Sequence, residues 1–173
     1  MDVRIPMECQ WWIWPLAELI LAVGIALLLR RFVCVLAYVK GRSMQDTLRD
    51  GEIVFALRRS LFGEIRRFDV VLCKYPQRKG LFVKRVVGLP GETLRIEDDI
   101  LYVNGETVEE DFPKRRCLRP MAERNVPDNA YFVMGDNRPA SRDSRSVGPI
   151  SQEEIVAVVR CVVFPFRRIR KVD

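Results

Sequence analysis

The sequence predicts a mainly β chain: an antiparallel coiled-sheet or barrel-like domain preceded by one N-terminal transmembrane helix. Three observations carry that prediction. A single long apolar run opens the chain, short segments rich in β-branched and aromatic residues follow it, and turn signals separate those segments at close intervals. At 173 residues there is room for one domain with a sizeable core. A composition of 49% hydrophobic and 30% charged residues is that of a folding sequence.

Residues 1–10 read as a tail, and residues 11–31, WWIWPLAELILAVGIALLLRR, as the membrane anchor. From Trp11 to Leu29 the one charged residue is Glu18, and a run of about 20 apolar residues spans a bilayer. Trp11, Trp12 and Trp14 suit one membrane interface, and Arg30 with Arg31 the other. Glu18 lies toward the Trp-rich end, within reach of headgroup water. A buried core helix would rarely carry such ends. A cleaved signal peptide would begin with a basic segment, whereas MDVRIPMEC has one Arg against two acids; the small-residue spacing at Val35-Leu36-Ala37 keeps that alternative open.

Residues 32–173 read as the β domain. FVCVLAYV, GEIVFAL, DVVLCKY, GLFVKRVVGL, ETLRIE, ILYVNG, AYFVMGD and IVAVVRCVVF are its strands, punctuated by RDGE, YPQRKG, LPGE, VNGE and PDNA. ILYV-NG-ETV is a hairpin signal, because Asn-Gly suits a type I′ turn. Residues 109–128, with many charges and prolines and no period, read as a surface excursion. Ser151-Gln-Glu-Glu154 resembles a capping box that would start a short helix.

The formal net charge of +6 would suit nucleic acid or an anionic membrane. No nucleic-acid-binding motif accompanies it, so no nucleic acid is expected, and the basic tail RRIRK (167–171) reads as a solvated or lipid-facing end. The five cysteines are scattered without a CxxC pair and the chain has no histidine, which disfavours a metal site; no metal or organic cofactor is expected. A single bridge, such as Cys73 to Cys161, stays open.

Three stretches carry chemistry. In GRSMQDTL, Ser43 sits on a polar bend after an apolar run, as a turn residue or an exposed nucleophile. Without histidine a Ser-His-Asp triad cannot be built, so a nucleophilic serine would need another base. A lysine can serve if desolvation lowers its pKa. In GLFVKRVVGLPGE, strand alternation puts Lys84 on one face with Phe82 and Val86 and turns Arg85 the other way. An edge-strand gatekeeper would also explain such a lysine. The third stretch, GDNRPASRDSRSVG (135–148), packs Asp136, Asn137, Ser141, Asp143, Ser144 and Arg145 into one loop, either a solvated turn or a fixed polar network.

Taken together and in this order, GRSM, FVKRVVGLPGE and GDNRPASRDSR resemble the bacterial type I signal peptidases, over nearly the whole chain. The resemblance implies the fold of those enzymes and of the related repressor-type proteases. It implies a membrane-anchored serine endopeptidase that removes signal peptides from secreted preproteins after a small-x-small motif. Ser43 resembles the nucleophile, Lys84 the general base and Ser141 the residue that orients the lysine. Asp143 and Arg145 resemble the stiffening ion pair; Asp136 and Asn137 are expected to be structural. The Ser43 N–H would join the oxyanion hole, with Gly41 where some members have a serine. On adjacency, Val39, Met44, Leu48, Phe82 and Val83 would line the substrate pockets.

One departure is Asp46, where the family usually has proline; the turn is expected to persist with slightly more freedom. Partners would be secretory preproteins and the lipid bilayer, with the protein a monomer. Arg30, Arg31, Lys40 and Arg42 after the anchor against Arg4 before it would put the domain in the cytoplasm, whereas the resemblance puts it on the outer face; large domains translocate regardless of charge, so the outer face is expected. A self-cleaving repressor-type protease would need a DNA-binding module where the apolar span stands. A membrane-anchored β binding protein would leave the lysine and the GDN box unexplained.

Overall fold

The computed structural model describes residues 13–59, 63–76, 78–116 and 119–172, in two units, Met1–Cys34 and Val35–Asp173. The first unit holds helix α1 (Ile13–Phe32). Its described side chains are apolar nearly all round and largely exposed, Trp14 at 69% and Ile20 and Leu21 at 65% each. Among the described residues, no helix is long and apolar enough to cross a membrane. Trp11 and Trp12, and the side chains of Arg30 and Arg31, lie outside the described residues.

The second unit is mainly β, with a few short helical turns such as Ser144–Val147: β1 (Cys34–Tyr38), β2 (Ile53–Arg58), β3 (Val70–Cys73), β4 (Phe82–Gly88), β5 (Thr93–Glu97), β6 (Ile100–Val103), β7 (Glu106–Val108), β8 (Met121–Asn125), β9 (Ala130–Met134), β10 (Ile150–Ser151), β11 (Ile155–Phe164) and β12 (Arg170–Lys171). One sheet has the order β1-β2-β11-β3-β4-β9-β10, with β12 pairing β11; a smaller sheet has the order β7-β6-β5-β8. The large sheet is a curled antiparallel half-barrel, as the sequence predicts. Register shifts at Ile155/Ala157, Val159/Cys161 and Val162/Phe164 bend the long central strand β11, and such irregularities are what let a sheet curl.

β3 is buried at every residue, which explains why it reads as a continuous apolar run rather than an alternating one. Val70 and Leu72 pack into one buried cluster, Val71 and Cys73 into another on the opposite face. The Asn-Gly hairpin forms as expected: Val103 pairs with Glu106, and Asn104 and Gly105 have φ of 52° and 87°, the left-handed pair of a type I′ turn.

One expectation needs correction, and two further readings are decided. The excursion 109–128 contains β8, whose sequence, MAERN, is exposed after its first residue and so lacks the apolar alternation of a half-buried strand. Ser151 does start a short helix, the three-residue 3-10 turn Gln152–Glu154, its hydroxyl accepting from Glu153 N–H at 3.3 Å. Cys73 and Cys161 are free thiols, and burial pushes the Cys73 thiol up to about 12.

The tail is partly absorbed into the fold. Arg170 forks onto the buried Glu52 carboxylate, Nη1 to Oε1 and Nη2 to Oε2 both at 2.8 Å, and Nη2 also donates to the Thr47 carbonyl at 2.6 Å. Phe166 and Ile169 stay exposed between the basic residues, at 77% and 60%. Burial raises the Glu52 pKa, but the Arg170 guanidinium and the Arg49 N–H outweigh it and hold the carboxyl below its ordinary value. A lowered carboxyl contributes stability that is present above its unfolded pKa of about 4.3 and is lost as pH falls through the folded value. Glu52→Gln should therefore cost about 1–3 kcal/mol at pH 7, read from urea midpoints, with the difference from wild type shrinking as the pH drops below about 4.

Candidate active site

The bend after β1 is a tight turn: the Arg42 carbonyl accepts from Gln45 N–H at 3.1 Å, and the Met44 carbonyl from Thr47 and Leu48 N–H at 3.1 and 2.8 Å. It carries Ser43 outward and buries Met44 and Leu48. β4 brings Lys84 beneath it. Lys84 is 3% exposed, and its Nζ lies 2.7 Å from Ser43 Oγ and 3.0 Å from the Val83 carbonyl, to which it donates. Desolvation drives the Lys84 pKa below the ordinary lysine value, although Cys73, Asp143 and Asp136 pull the other way. The cause is that the charged form loses water it cannot replace. The Ser43 N–H has no acceptor among the described residues, so it is free to meet a developing oxyanion.

The GDN box closes the site from behind. Asn137 donates its N–H to the Ser43 carbonyl at 3.0 Å and its Nδ2 to the Arg42 carbonyl at 2.9 Å. Asp136 is fully buried and takes a fork from Arg85, Nε to Oδ1 at 3.0 Å and Nη2 to Oδ2 at 2.9 Å. Thr47 Oγ1 donates to the same carboxylate at 2.5 Å, and the Arg85 guanidinium stacks 4.0 Å from the centre of the Phe112 ring. Arg85 does turn away from Lys84, but into the protein, where it is 1% exposed.

Asp143 accepts from Arg145 Nε and Nη2 at 2.9 Å each and from Gly135 N–H at 3.0 Å. Burial raises its pKa; those bonds and the Arg145 charge outweigh it and leave the carboxyl lowered. Ser141 sits in the same pocket, near enough to the Asp143 carboxylate to help hold it ionised. Its buried hydroxyl makes no hydrogen bond of ordinary geometry among the described residues. The expected Ser141–Lys84 bond is therefore not made, and the Val83 carbonyl holds the amine instead. Gly135 permits the whole arrangement: a β-carbon there would collide with Ser141 Oγ and with the Ser43 carbonyl oxygen.

A cleft of about 280 Å³ opens beside Ser43 and Lys84, lined by Val39, Met44, Phe82 and Val83 among others. Leu48, the fifth expected lining residue, does not reach it. It is 0% exposed and packs among Val54, Ala56 and Leu72, because the turn directs it inward.

Sequence reasoning missed Thr47, Arg85, Gly135 and the Glu52–Arg170 pair. Thr47, Arg85 and Gly135 all lie inside the quoted motifs, so proximity to them was the available signal; nothing local marks residues 118 positions apart as partners.

Asp46 keeps the turn in a conformation that proline cannot adopt. Its φ is 94°, a left-handed conformation that Asp tolerates better than most residues. Its carboxylate accepts from Arg115 Nε at 2.9 Å, while the Arg115 N–H donates to the Asp136 carbonyl at 2.9 Å. The turn persists, with an exposed ion pair to Arg115 beside it.

The signal peptidase family, peptidase S26, matches residues 12–164. Signal peptidase I of Bacillus licheniformis is 39% identical over 167 residues, covering 90% of each chain. Signal peptidase I V of Bacillus subtilis (strain 168) is 40% identical over 161 residues, 84% of this chain and 95% of its own. A solved signal peptidase I from Enterococcus faecalis V583 aligns with 56% of this chain and 97% of its own at 32% identity, with a TM-score of 0.47.

Asp46→Pro should destabilise the protein by about 1–3 kcal/mol, since it forces φ near −65° onto a turn built at 94°. Asp46→Gly should stay near wild type, because glycine adopts this φ freely and an exposed ion pair contributes little. Urea unfolding of the detergent-solubilised variants checks this; equal midpoints for Pro and Gly would contradict the assigned turn.

Proposed function

Because the chain belongs to the signal peptidase family, peptidase S26, and is thereby a serine endopeptidase, we propose that it removes signal peptides from secreted preproteins with a Ser43/Lys84 dyad. The observation that carries the dyad is the 2.7 Å approach of Ser43 Oγ to a buried lysine whose pKa is lowered, in a chain without histidine.

In the proposed reaction neutral Lys84 accepts the Ser43 hydroxyl proton as Oγ attacks the carbonyl carbon of the residue before the cut. The resulting oxyanion meets the free Ser43 N–H. The C–N bond then breaks, the amine leaves with the proton held on Lys84, and an ester joins Ser43 to the signal peptide. Lys84, neutral again, takes a proton from water; the hydroxide attacks the ester, and Ser43 Oγ leaves with the proton returned from Lys84. Each proton removed is given back, and no outside acid is consumed. Asp143 and Arg145 stiffen the pocket, and the Val83 carbonyl holds the amine in place.

The substrate would lie extended in the cleft beside Val39, Met44, Phe82 and Val83, pairing with exposed backbone as edge-reading domains do. The shallow apolar walls suit small side chains, which supports a small-x-small cleavage motif. Residues 11–31 would anchor the protein as one membrane span, with 1–10 a short tail and 32–173 a catalytic domain on the outer face, working as a monomer. α1 carries apolar side chains over most of its length. Its exposed apolar surface supports that reading, and so do the exposed Phe166 and Ile169 beside Arg167 and Arg168 for contact with lipid headgroups.

Lys84→Arg should abolish preprotein cleavage, because guanidinium keeps its proton at any usable pH. Wild-type kcat/KM should fall on the acid side with the apparent pKa of the lowered lysine. The same lowering means that unfolding takes up a proton: stability rises with pH between the folded pKa and about 10.4, and the penalty is fully present below that window. Lys84→Met should therefore be inactive yet more stable than wild type at neutral pH by thermal melting. A Lys84→Arg enzyme retaining most of its activity would sink the dyad and return the search for a base to Asp143.

Deleting residues 1–31 should slow processing of membrane-bound preprotein far more than cleavage of a soluble peptide, because the anchor confines enzyme and substrate to one surface. Equal losses on both substrates would count against tethering.

A further inference from the structure

A second groove, about 330 Å³, shares Ser141 and Asp143 with the site and runs away from the apolar cleft along β8. Four arginines line it: Arg119, Arg124, Arg138 and Arg145. Arg145 is bound to Asp143, and Arg138 to Glu110. Arg119 and Arg124 have no acidic partner among the described residues. Arg138 is 3% exposed, and its Nε is buried without a hydrogen-bond partner among the described residues. The groove thus carries uncompensated positive charge and a buried donor that lacks an acceptor. An anionic group in the groove would relieve both.

The occupant follows from continuity with the site. Lys84 and Ser43 line the apolar cleft, Ser141 lines the basic groove, and Ser141 Oγ and the Ser43 carbonyl crowd the same face of Gly135. A peptide filling the apolar cleft up to the scissile bond would meet Ser141, and with it the basic groove, next. β8 is the edge strand of its sheet, so an extended chain can run beside it.

We propose that this groove binds the first residues after the cut and that Arg119 and Arg124 select substrates with an acidic side chain there. The proposal rests on the signal-peptide reading above. It adds a specificity determinant on the side of the mature chain.

The test uses the full chain in neutral detergent and peptides identical except at the second and third residues after the cut, which are both Glu, both Gln or both Lys. Wild type should cleave the Glu peptide with a kcat/KM about three- to tenfold above the Lys peptide, the size expected of one or two partly exposed ion pairs. The preference should shrink at high salt. In the double variant Arg119→Glu with Arg124→Glu the Glu-to-Lys ratio should invert. The ratio is taken within one enzyme, so a loss of folded protein cancels.

Equal rates on the Glu and Lys peptides, with the Gln peptide cleaved, would overturn this inference and leave the functional reading standing. Cleavage of none of the peptides would overturn both. If the arginines instead served an anionic lipid, the double variant would lose activity equally on all three peptides in phosphatidylglycerol vesicles and keep the wild-type ratio, which also overturns the inference.

Discussion

The Arg85–Asp136 pair is the constraint on which the rest of the site depends. It is a bidentate ion pair 1% and 0% exposed, so neither charge has water to fall back on. Breaking such a pair by removing one partner costs about 3–5 kcal/mol, because the survivor is left buried and uncompensated. The pair joins β4 to the GDN box, and Thr47, bonded to the same carboxylate, adds the turn that bears Ser43. Three stretches far apart in the chain are thereby held in one geometry. Lys84 precedes Arg85 on the strand, so a rigid Arg85 on one face fixes where the amine emerges on the other.

That rigidity matters because Lys84 is held against its own preference. Burying an amine is unfavourable for the charged form and leaves a lone pair facing Ser43 in the neutral one. The opposing charges of Asp143 and Asp136 do not neutralise this effect, since each is already claimed by an arginine. The arginines next to the two carboxylates are bound to them, and desolvation of the amine outweighs the pull that the carboxylates still exert on Lys84. Sites of this kind exchange stability for reactivity.

The surroundings of the turn show a second way of holding the same geometry. Where the family usually has proline, Asp46 accepts a left-handed φ and is tied to Arg115. Arg115 is in turn bonded through its backbone to Asp136. The segment that supplies Arg115 continues toward Arg119 and β8, so the support of the turn and the wall of the basic groove belong to one stretch of chain.

The sequence by itself determined the strand pattern, the Asn-Gly hairpin, and the choice of Ser43 and Lys84 as candidates. Each of these is local: periodicity, turn chemistry and the absence of histidine act within a few residues or across the whole composition. Tertiary structure alone decided that Arg85 is buried on Asp136, that Leu48 belongs to the core and not the cleft, and that Val83 rather than Ser141 bonds the lysine. It also decided that MAERN forms an edge strand, because pairing with β5 supplies backbone partners that its own exposed side chains do not advertise. The physical reason is common to all four. Whether a polar or apolar side chain meets water, a partner or a wall depends on which distant segment is folded against it, and that pairing is set by the order and curl of the strands.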